Sequence, residues 1–203
     1  MLKRRYSKQK LEAGTDEAGR GALAGPVVAA AVILPTRLRA SEWKILNDSK
    51  QLDEKLRYRL REVITREALA WRVAFVSREI IDKINILNAS ILAMHRALKY
   101  LPVRPEFIIV DGNRFKPYEN IPHETVVRGD EKYLSIAAAS VLAKTFRDDF
   151  MKKIHRYFPH YRWEKNKGYG TAEHKSAIRQ YGICRYHRLS FHPHIEQLKL
   201  PFD

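Results

Sequence analysis

Hydrophobic and polar positions along the chain follow two periods, one typical of strands and one of helices. Apolar runs of strand length predict strands over 11–16, 27–34, 71–76, 106–110 and 125–127. Apolar residues at helical spacing predict helices over 53–69, 84–101, 134–158 and 172–181, with Asp53 as the N-cap of the first. The pattern therefore predicts an α/β fold in which helices flank a mixed central β-sheet.

Two changes in composition divide the pattern. The segment SIAAASVLAK carries small residues all round, which predicts a helix packed closely against the sheet. From about residue 158 the chain becomes aromatic and basic. A length of 203 residues favours one domain. We expect a core over about 11–157, a C-terminal helical annex over about 158–196 and a tail over 197–203.

The charge balance is strongly positive: 38 Lys and Arg against 23 Asp and Glu give a formal net charge of +15. Such an excess favours a polyanionic partner, most simply nucleic acid. A solvated basic surface or an anionic membrane contact is the alternative, but no basic amphipathic helix is obvious. The basic start, Lys3 to Lys10, either adds nonspecific affinity or is disordered.

Membrane insertion and disulfide chemistry are not expected. The longest apolar run, 26–35, is too short to cross a bilayer, and the basic start lacks the apolar region of a signal peptide. Cys184 is the single cysteine, which excludes an intrachain disulfide and any site built from several cysteines. We expect a cytoplasmic protein, and a monomer by default.

Four acids follow predicted strands. Asp16 and Glu17 end the first strand, Asp111 ends the strand over 106–110, and Asp130 follows the strand over 125–127. Strand ends meet at one edge of such a sheet, so these carboxylates could converge. Clustered carboxylates repel one another unless a hard cation compensates them, which implies Mg²⁺ or Mn²⁺. Two such ions roughly 4 Å apart would activate a water and polarise a phosphodiester.

Each acid also has an ordinary structural explanation. Taken singly, Asp111 in an Asp-Gly pair is a turn residue and Asp130 a helix cap. The adjacent pair Asp16-Glu17 is harder to explain in this way, because consecutive strand residues point to opposite sides.

Three loops near these acids carry groups suited to a nucleic acid. Gly19-Arg20-Gly21 permits close backbone approach and presents one guanidinium, although it is also an ordinary flexible turn. Ser49-Lys50 offers a hydroxyl and an amine to phosphate, or simply leads into a helix. Tyr169 lies between two glycines, which predicts enough exposure for its ring to stack on a sugar or base. The alternative is that it packs in the core, as most tyrosines do. The rings over 155–163 either wall a groove or pack together.

The motifs together resemble ribonuclease HII. They are GTDEAGRGALAGPVVAAAVIL, LNDSKQL, IIVDG, VVRGDEKYLSIAAASVLAK, NKGYGTAEH and HRLSFHP, in this order. The resemblance extends from Gly14 to about Pro193 and implies a ribonuclease H-like fold. It implies endonucleolytic cleavage of the RNA strand of RNA–DNA hybrids. It also implies cutting 5′ of single ribonucleotides in duplex DNA, which leaves a 3′-hydroxyl and a 5′-phosphate and begins ribonucleotide removal.

The resemblance also implies roles for individual residues. The catalytic and metal-binding set, holding two Mg²⁺ or Mn²⁺ ions, is Asp16, Glu17, Asp111 and Asp130. Glu17 is expected to touch both metal and substrate hydroxyl. Arg20 and its flanking backbone are expected to read the 2′-hydroxyl, which separates RNA from DNA, and Tyr169 to stack beneath the following deoxyribose. The substrate-binding set is Gly19, Arg20, Gly21, Ser49, Lys50, Lys144 and Tyr169.

Three positions depart from the family pattern. Ala22 stands where the family usually has Pro, Asn166 where it has His, and His192 where it has a small residue. None removes a carboxylate, so we expect these departures to affect only loop rigidity. The related ribonuclease HIII is disfavoured, because its extra N-terminal domain has no room before Gly14.

The tail QLKLPFD is short and apolar, and folding back onto the core is its simplest explanation. It also resembles the motif by which bacterial replication proteins bind the sliding clamp. Its contact residues would be Gln197, Leu198, Leu200 and Phe202.

Two other functions remain open. A non-catalytic nucleic-acid-binding protein explains the charge but not four acids near a basic groove. Another two-metal nuclease or a transposase-like enzyme of the same fold would share the acids but lack the GRG loop and the GYG tyrosine. Metal-dependent cleavage would distinguish an enzyme from the non-catalytic binding protein. Cleavage that requires a 2′-hydroxyl would distinguish a ribonuclease HII from the other nucleases of the same fold.

Overall fold

A five-stranded mixed sheet forms the centre of the molecule. The structure is a computed structural model and describes residues 2–7, 11–46 and 53–192. The strands are β1 (Glu12–Ala18), β2 (Val27–Ile33), β3 (Ala70–Val76), β4 (Phe107–Asp111) and β5 (His123–Val126). Their spatial order is β3-β2-β1-β4-β5. Strand β1 is antiparallel to β2 and parallel to β4; β2 is antiparallel to β3, and β4 is parallel to β5. The predicted strands are therefore confirmed, with bounds shifted by one or two residues.

Six α-helices surround the sheet in the described part of the chain. They are α1 (Glu54–Glu67), α2 (Arg78–Ile84), α3 (Ile86–Lys99), α4 (Leu134–His155), α5 (Trp163–Asn166) and α6 (Ala172–Tyr181). The Asp53 cap is confirmed, since its carboxylate accepts the Leu56 N–H at 2.7 Å. No helix among the described residues is long and apolar enough to cross a membrane.

The predicted helix over 84–101 is wrong at its start. Asn85 has a φ of +64°, which breaks the helical path, and its side chain accepts the Asn88 N–H to begin α3 afresh. The preceding α2 is a separate helix that the hydrophobic pattern did not predict. Helix α4 ends at His155, three residues before the predicted end.

Strand β2 is buried on both faces, which explains its unbroken apolar run. Ala29, Ala31 and Ile33 face a cluster shared with α2 and α3. Ala30 and Val32 face a second cluster shared with α1 and α4. Helices therefore cover both faces of the sheet, and the predicted α/β architecture is confirmed.

Helix α4 lies directly against β1. A Cβ at Gly14 would overlap the backbone of Ser135 and come within 2.5 Å of the Ile136 nitrogen, so only glycine permits this approach. The first turns of α4 carry Ala137, Ala138 and Ala139 for the same reason, all fully buried. The small-residue helix is confirmed, and its N-terminal half is fixed over the acidic end of β1.

The aromatic residues after α4 pack on one another and form the core of the annex. Tyr161 and Trp163 are buried and stacked, with centroids 4.9 Å apart and rings inclined by 19°. Tyr157, by contrast, is 70% exposed. Of the two explanations for the rings over 155–163, packing holds for Tyr161 and Trp163, which cannot wall a groove.

Candidate active site

The sheet topology brings the four acids to one place. Asp16 and Glu17 lie near the carboxyl end of β1, and Asp111 is the last residue of the parallel neighbour β4. Asp130 lies in the 3₁₀ turn Gly129–Glu131 just before α4. Burial raises the pKa of Asp16 well above its usual value, and the charges of Glu17, Asp111 and Asp130 raise it further. The predicted convergence of the carboxylates is therefore present in the structure.

A cleft of about 570 Å³ opens above three of these acids. Asp130 is almost fully buried and does not line it. The Gly129 N–H donates to Asp111 Oδ1 at 2.7 Å and so fixes the orientation of that carboxylate. The lining residues are Asp16, Glu17, Ala18, Gly19, Arg20, Gly21, Arg57, Asp111, Ser140, Lys144 and Tyr169.

The donor set fits a divalent cation. Glu17 Oε2 is buried and has no hydrogen-bond partner among the described residues, while Oε1 lies 3.3 Å from the Arg20 guanidinium. Burial raises the pKa of Glu17; Arg20 opposes this rise and Asp111 adds to it. Within the described ranges, no group of three or more His, Cys, Asp or Glu side chains is placed so that it could hold a metal ion by itself. Mg²⁺ commonly takes only one or two carboxylates and completes its shell with water and substrate phosphate, so an incomplete protein set is compatible with it.

Ser140 and Arg57 line the cleft and were not predicted. The Ser140 hydroxyl donates to the Asp16 carboxylate and lowers its pKa, against the larger effect of burial. Ser140, Lys144 and Asp148 follow one another at intervals of four on α4, and Lys144 Nζ lies 2.7 Å from Asp148 Oδ1. This i, i+4 spacing was the available signal for Ser140. No comparable signal marked Arg57.

The Gly19-Arg20-Gly21 loop is rigid where it meets the protein and open where it meets the cleft. Gly19 has a φ of +95°, and a Cβ there would overlap the Arg147 guanidinium. No atom of the described part of the chain lies within 4 Å of a Cβ built on Gly21. Arg20 is about half exposed at the cleft. A ligand can therefore approach the Gly21 backbone closely.

Two buried arginines hold this loop from beneath. Arg188 donates to the carbonyl oxygens of Arg20, Gly25 and Pro26 at 2.9–3.0 Å. Arg147 donates to Pro26 as well, and to the carbonyls of Ala24 and Lys167. Both guanidiniums are fully buried, so backbone oxygens replace the water they have lost. Arg188 belongs to the HRLSFHP motif, but the sequence pattern does not predict this role.

Tyr169 is half-buried at the edge of the cleft and forms a β-bridge with Ala22. The Arg147 Cζ lies 5.4 Å and the Lys144 Nζ 5.8 Å from its ring centroid, within cation–π range. The bridge ties Tyr169 to the loop that follows Gly21. The structure thus brings the predicted aromatic residue, one predicted lysine and the GRG loop to the same cleft.

The three residues that depart from the family pattern, Ala22, Asn166 and His192, all have defined positions in the structure. Asn166 donates to the Tyr161 carbonyl at 2.7 Å and accepts the Gly168 N–H at 2.8 Å, so both ends of its amide are used. Ala22 is fully buried. His192 is exposed with a φ of +48° at the end of the 3₁₀ turn Leu189–Phe191.

A network of two histidines positions Tyr169 from the annex side. The Cys184 N–H donates to His187 Nδ1 at 3.0 Å, so the His187 proton lies on Nε2, 3.2 Å from His174 Nε2. The Trp163 indole also donates to His174 Nε2, which leaves His174 Nδ1 to donate to the Tyr169 carbonyl at 2.9 Å. Every ring nitrogen is used, and both histidines are neutral in this arrangement.

Acid should therefore destabilise the annex. Burial and the neighbouring His174 lower the pKa of His187 from 6.5 to about 4. The unfolded chain takes up this proton first, so stability is constant above about pH 6.5 and falls as the pH drops toward 4. The loss over this window is about 3 kcal/mol, at 1.4 kcal/mol per pKa unit. Urea unfolding at pH 7.5 and at pH 4 measures it.

Two variants separate this effect from general acid destabilisation. His187→Gln should flatten the fall between pH 6.5 and 4, whereas His192→Ala should leave it unchanged. An equally steep fall in His187→Gln would show that other groups control the transition.

Six predicted site residues lie outside the described residues. They are Ser49, Lys50, Gln197, Leu198, Leu200 and Phe202.

Comparison with known proteins assigns the family. The family model described as ribonuclease HII matches residues 13–194. A ribonuclease HII of Phocaeicola vulgatus is 57% identical over 204 residues and covers all of both chains. One of Bacteroides fragilis is 61% identical over 191 residues, 94% of each chain.

Solved structures share the fold at lower identity. Ribonuclease H2 of Pyrococcus horikoshii OT3 matches with a TM-score of 0.76 and 24% identity over 91% of this chain and 95% of that one. RNase HII of Archaeoglobus fulgidus, solved in a complex with PCNA, matches with the same TM-score and the same identity, over 94% of this chain and 98% of that one. Bst-RNase HIII in complex with Mn²⁺ matches with a TM-score of 0.66 and 19% identity, over 84% of this chain and 62% of that one.

These findings agree with the mixed sheet and flanking helices, so the predicted ribonuclease H-like fold and the predicted resemblance are both confirmed. The chain belongs to the ribonuclease HII family and is a nuclease of the ribonuclease H type, an endonuclease of RNA–DNA substrates.

Proposed function

We propose that the protein cuts the RNA strand of RNA–DNA hybrids and also cuts duplex DNA on the 5′ side of a single embedded ribonucleotide. The products are a 3′-hydroxyl and a 5′-phosphate, and the biological role is ribonucleotide removal during DNA repair and replication. The observation that carries the proposal is the shared cleft, in which Asp16, Glu17 and Asp111 face the Gly19–Gly21 loop and Tyr169.

Asp16, Glu17, Asp111 and Asp130 are proposed to hold two divalent ions, Mg²⁺ or Mn²⁺. The unpartnered Glu17 oxygen and the mutual repulsion at Asp16 support this assignment. When bound, such ions supply an activated water and stabilise the leaving oxygen. The solved Bst-RNase HIII complex contains Mn²⁺.

The chain's own residues bind and orient the substrate. The open backbone at Gly21 admits the sugar edge of a nucleotide, and Arg20 presents a guanidinium beside it. Tyr169, held by the His174 network and the Ala22 bridge, offers a ring face to the next sugar. Lys144 and Arg57 add positive charge on the wall of the cleft, where phosphates would lie. A ribose at the Gly19–Gly21 loop followed by a deoxyribose at the Tyr169 ring would be an RNA-to-DNA junction.

The deciding experiment uses a labelled DNA duplex with one ribonucleotide, beside an all-DNA control. Each is incubated with Mg²⁺, with Mn²⁺ and with EDTA. A metal-dependent cut 5′ of the ribonucleotide with the control intact is the expected result. Binding without cleavage in every metal would favour the non-catalytic nucleic-acid-binding function. Cutting of the all-DNA duplex would favour another two-metal nuclease.

Glu17→Gln should lower the cleavage rate by about 10³-fold, because it removes one anionic ligand worth several kcal/mol of transition-state stabilisation. The amide keeps the shape of the side chain, so duplex binding should stay near the wild-type level. Single-turnover cleavage with Mg²⁺ measures the loss. A near wild-type rate would remove Glu17 from the proposed metal site.

A partner is also proposed for the tail. Leu198, Leu200 and Phe202 would fill a hydrophobic pocket of the replication sliding clamp, and Gln197 would form a hydrogen bond to it. The Archaeoglobus fulgidus RNase HII was solved in a complex with PCNA, which supports this partner. Clamp pull-down should be lost on deletion of residues 197–203; unchanged capture would contradict the proposal.

A further inference from the structure

A positively charged groove lies at the end of the sheet opposite the cleft. Asp16 pairs with Ala30 in β2, and the chain reaches the groove at Pro35, five residues further on. At about 3.3 Å per strand residue, the groove lies about 17 Å from the acids along the strand. Its volume is about 490 Å³, and its lining residues are Pro35, Thr36, Arg37, Arg39, Arg66 and Glu67. We call it the arginine groove.

The single acid of this lining is occupied by its own neighbours. Glu67 Oε2 accepts the Trp43 indole N–H at 2.8 Å and the backbone N–H groups of Arg39 and Ala40 at 3.3 and 3.2 Å. Its Oε1 lies 3.4 Å from the Arg66 guanidinium, whose side chain is 65% exposed. Arg39 thus bonds to Glu67 through its backbone, and its exposed side chain is available to a ligand.

The basic start of the chain adds to the same surface. Arg4 donates to the carbonyl oxygens of Pro35 and Thr36 at the groove. Its segment is held in place, because Lys3 pairs with Lys132 and Leu134 through backbone hydrogen bonds of 2.7 and 2.9 Å. Of the two explanations for the basic start, residues 2–7 therefore do not fit disorder.

The other contacts of this segment hold it equally well. The Tyr6 ring stacks on Phe107 with centroids 5.8 Å apart and planes inclined by 7°. The backbone N–H groups of Tyr6 and Ser7 donate to the Glu12 carboxylate at 2.7–3.2 Å. Arg4 is consequently a fixed part of the charged surface.

The chemistry of the surface selects its ligand. Four guanidiniums and one occupied carboxylate leave a strong excess of positive charge. Guanidiniums bind phosphate oxygens in pairs, and among the described residues no aromatic ring lines the groove to stack on a base. We propose that the arginine groove binds the phosphate backbone of nucleic acid outside the segment that is cut, as a second contact independent of sequence. The inference rests on the proposed function for the identity of this ligand.

The test compares two variants that each lose two positive charges. Arg37→Ala with Arg39→Ala removes exposed guanidiniums of the groove, and Lys83→Ala with Lys99→Ala removes exposed charges from α2 and α3. Binding of a labelled all-DNA duplex is measured by anisotropy over a range of salt, without divalent metal. Each phosphate contact contributes about 0.9 to the slope of log K against log salt.

The dependence of log K on log salt should therefore be less steep in the groove variant, by about 2 in the magnitude of the slope relative to wild type. The lysine variant should keep the wild-type slope. Cleavage at saturating substrate should stay at the wild-type rate in both, because the cleft is untouched. Equal slopes in the two variants would overturn the proposal.

A further arm adds inorganic phosphate at constant ionic strength. Loss of the difference between wild type and the groove variant, with binding by the groove variant itself unchanged, would show that free phosphate and DNA compete for the same guanidiniums and would support the proposal. Because binding is measured without cleavage, failure of the proposed function would appear separately, as an intact ribonucleotide duplex.

Discussion

Asp16→Asn should abolish cleavage and, in the absence of metal, make the protein more stable. Asp16 is buried beside Glu17 and Asp111, and burial together with these charges raises its pKa. Asparagine removes the charge but keeps an oxygen for the Glu17 N–H, which the Asp16 carboxylate accepts at 2.6 Å. The cleavage rate should fall by about 10³-fold or more, since an anionic ligand is lost.

The stability gain has a defined pH dependence. A carboxyl group with a raised pKa in the folded state destabilises that state wherever the unfolded chain is ionised, that is, above about pH 3.8. The gain of Asp16→Asn should therefore be present at neutral pH and should disappear in acid. Urea unfolding in EDTA measures it. Mg²⁺ should reduce it, because bound ions compensate the wild-type charge.

Asp82→Asn is the matched control, and its expected effect on stability at neutral pH is opposite in sign to that of Asp16→Asn. The Asp82 carboxylate accepts hydrogen bonds from Ser190 and Leu189, and its pKa is lowered despite opposing desolvation. Its replacement should lower stability at neutral pH and leave the metal-dependent cut in place. If Asp16→Asn were the less stable of the two in EDTA, the four carboxylates would not repel one another as the structure implies.

Arg188→Lys should lower both stability and cleavage, although it keeps the charge. Burial, with some repulsion from Arg147, lowers the pKa of Arg188 to about 9, so the guanidinium remains protonated at neutral pH. A lysine ammonium cannot reproduce the planar fork that serves Arg20, Gly25 and Pro26. Leaving buried carbonyls without donors should reduce the free energy of unfolding by about 3 kcal/mol.

The effect on cleavage tests whether Arg188 positions the Gly19–Gly21 loop. A displacement of about 1 Å can reduce a rate about 10²-fold, so kcat should fall by that order. Binding of an all-DNA duplex should be unchanged, because phosphate contacts do not need this loop. Arg185→Lys, an exposed neighbour, is the control and should behave as wild type. A wild-type kcat in Arg188→Lys, despite lower stability, would limit Arg188 to a purely structural role.

The sequence by itself determined the layers of the fold and the residues of the acidic cluster. The buried run of β2, the Asp53 cap and the small-residue face of α4 are local patterns, and local patterns follow directly from the order of residues. The positions of Asp16, Glu17, Asp111 and Asp130 could be inferred as well, because acids that follow strands of one sheet meet at its edge. The break at Asn85 escaped, since hydrophobic periodicity carries no information about φ.

Only the tertiary structure decided which distant groups support that cluster. Arg147 and Arg188 look like ordinary surface arginines in the sequence, yet both are buried beneath the Gly19–Gly21 loop, up to 168 residues away along the chain. The neutral pair His174 and His187 and the arginine groove are equally nonlocal. Their roles depend on which carbonyls, rings and charges the folded chain places beside them, and hydrogen bonding and desolvation act through space. The sequence alone contains no local sign of these neighbours.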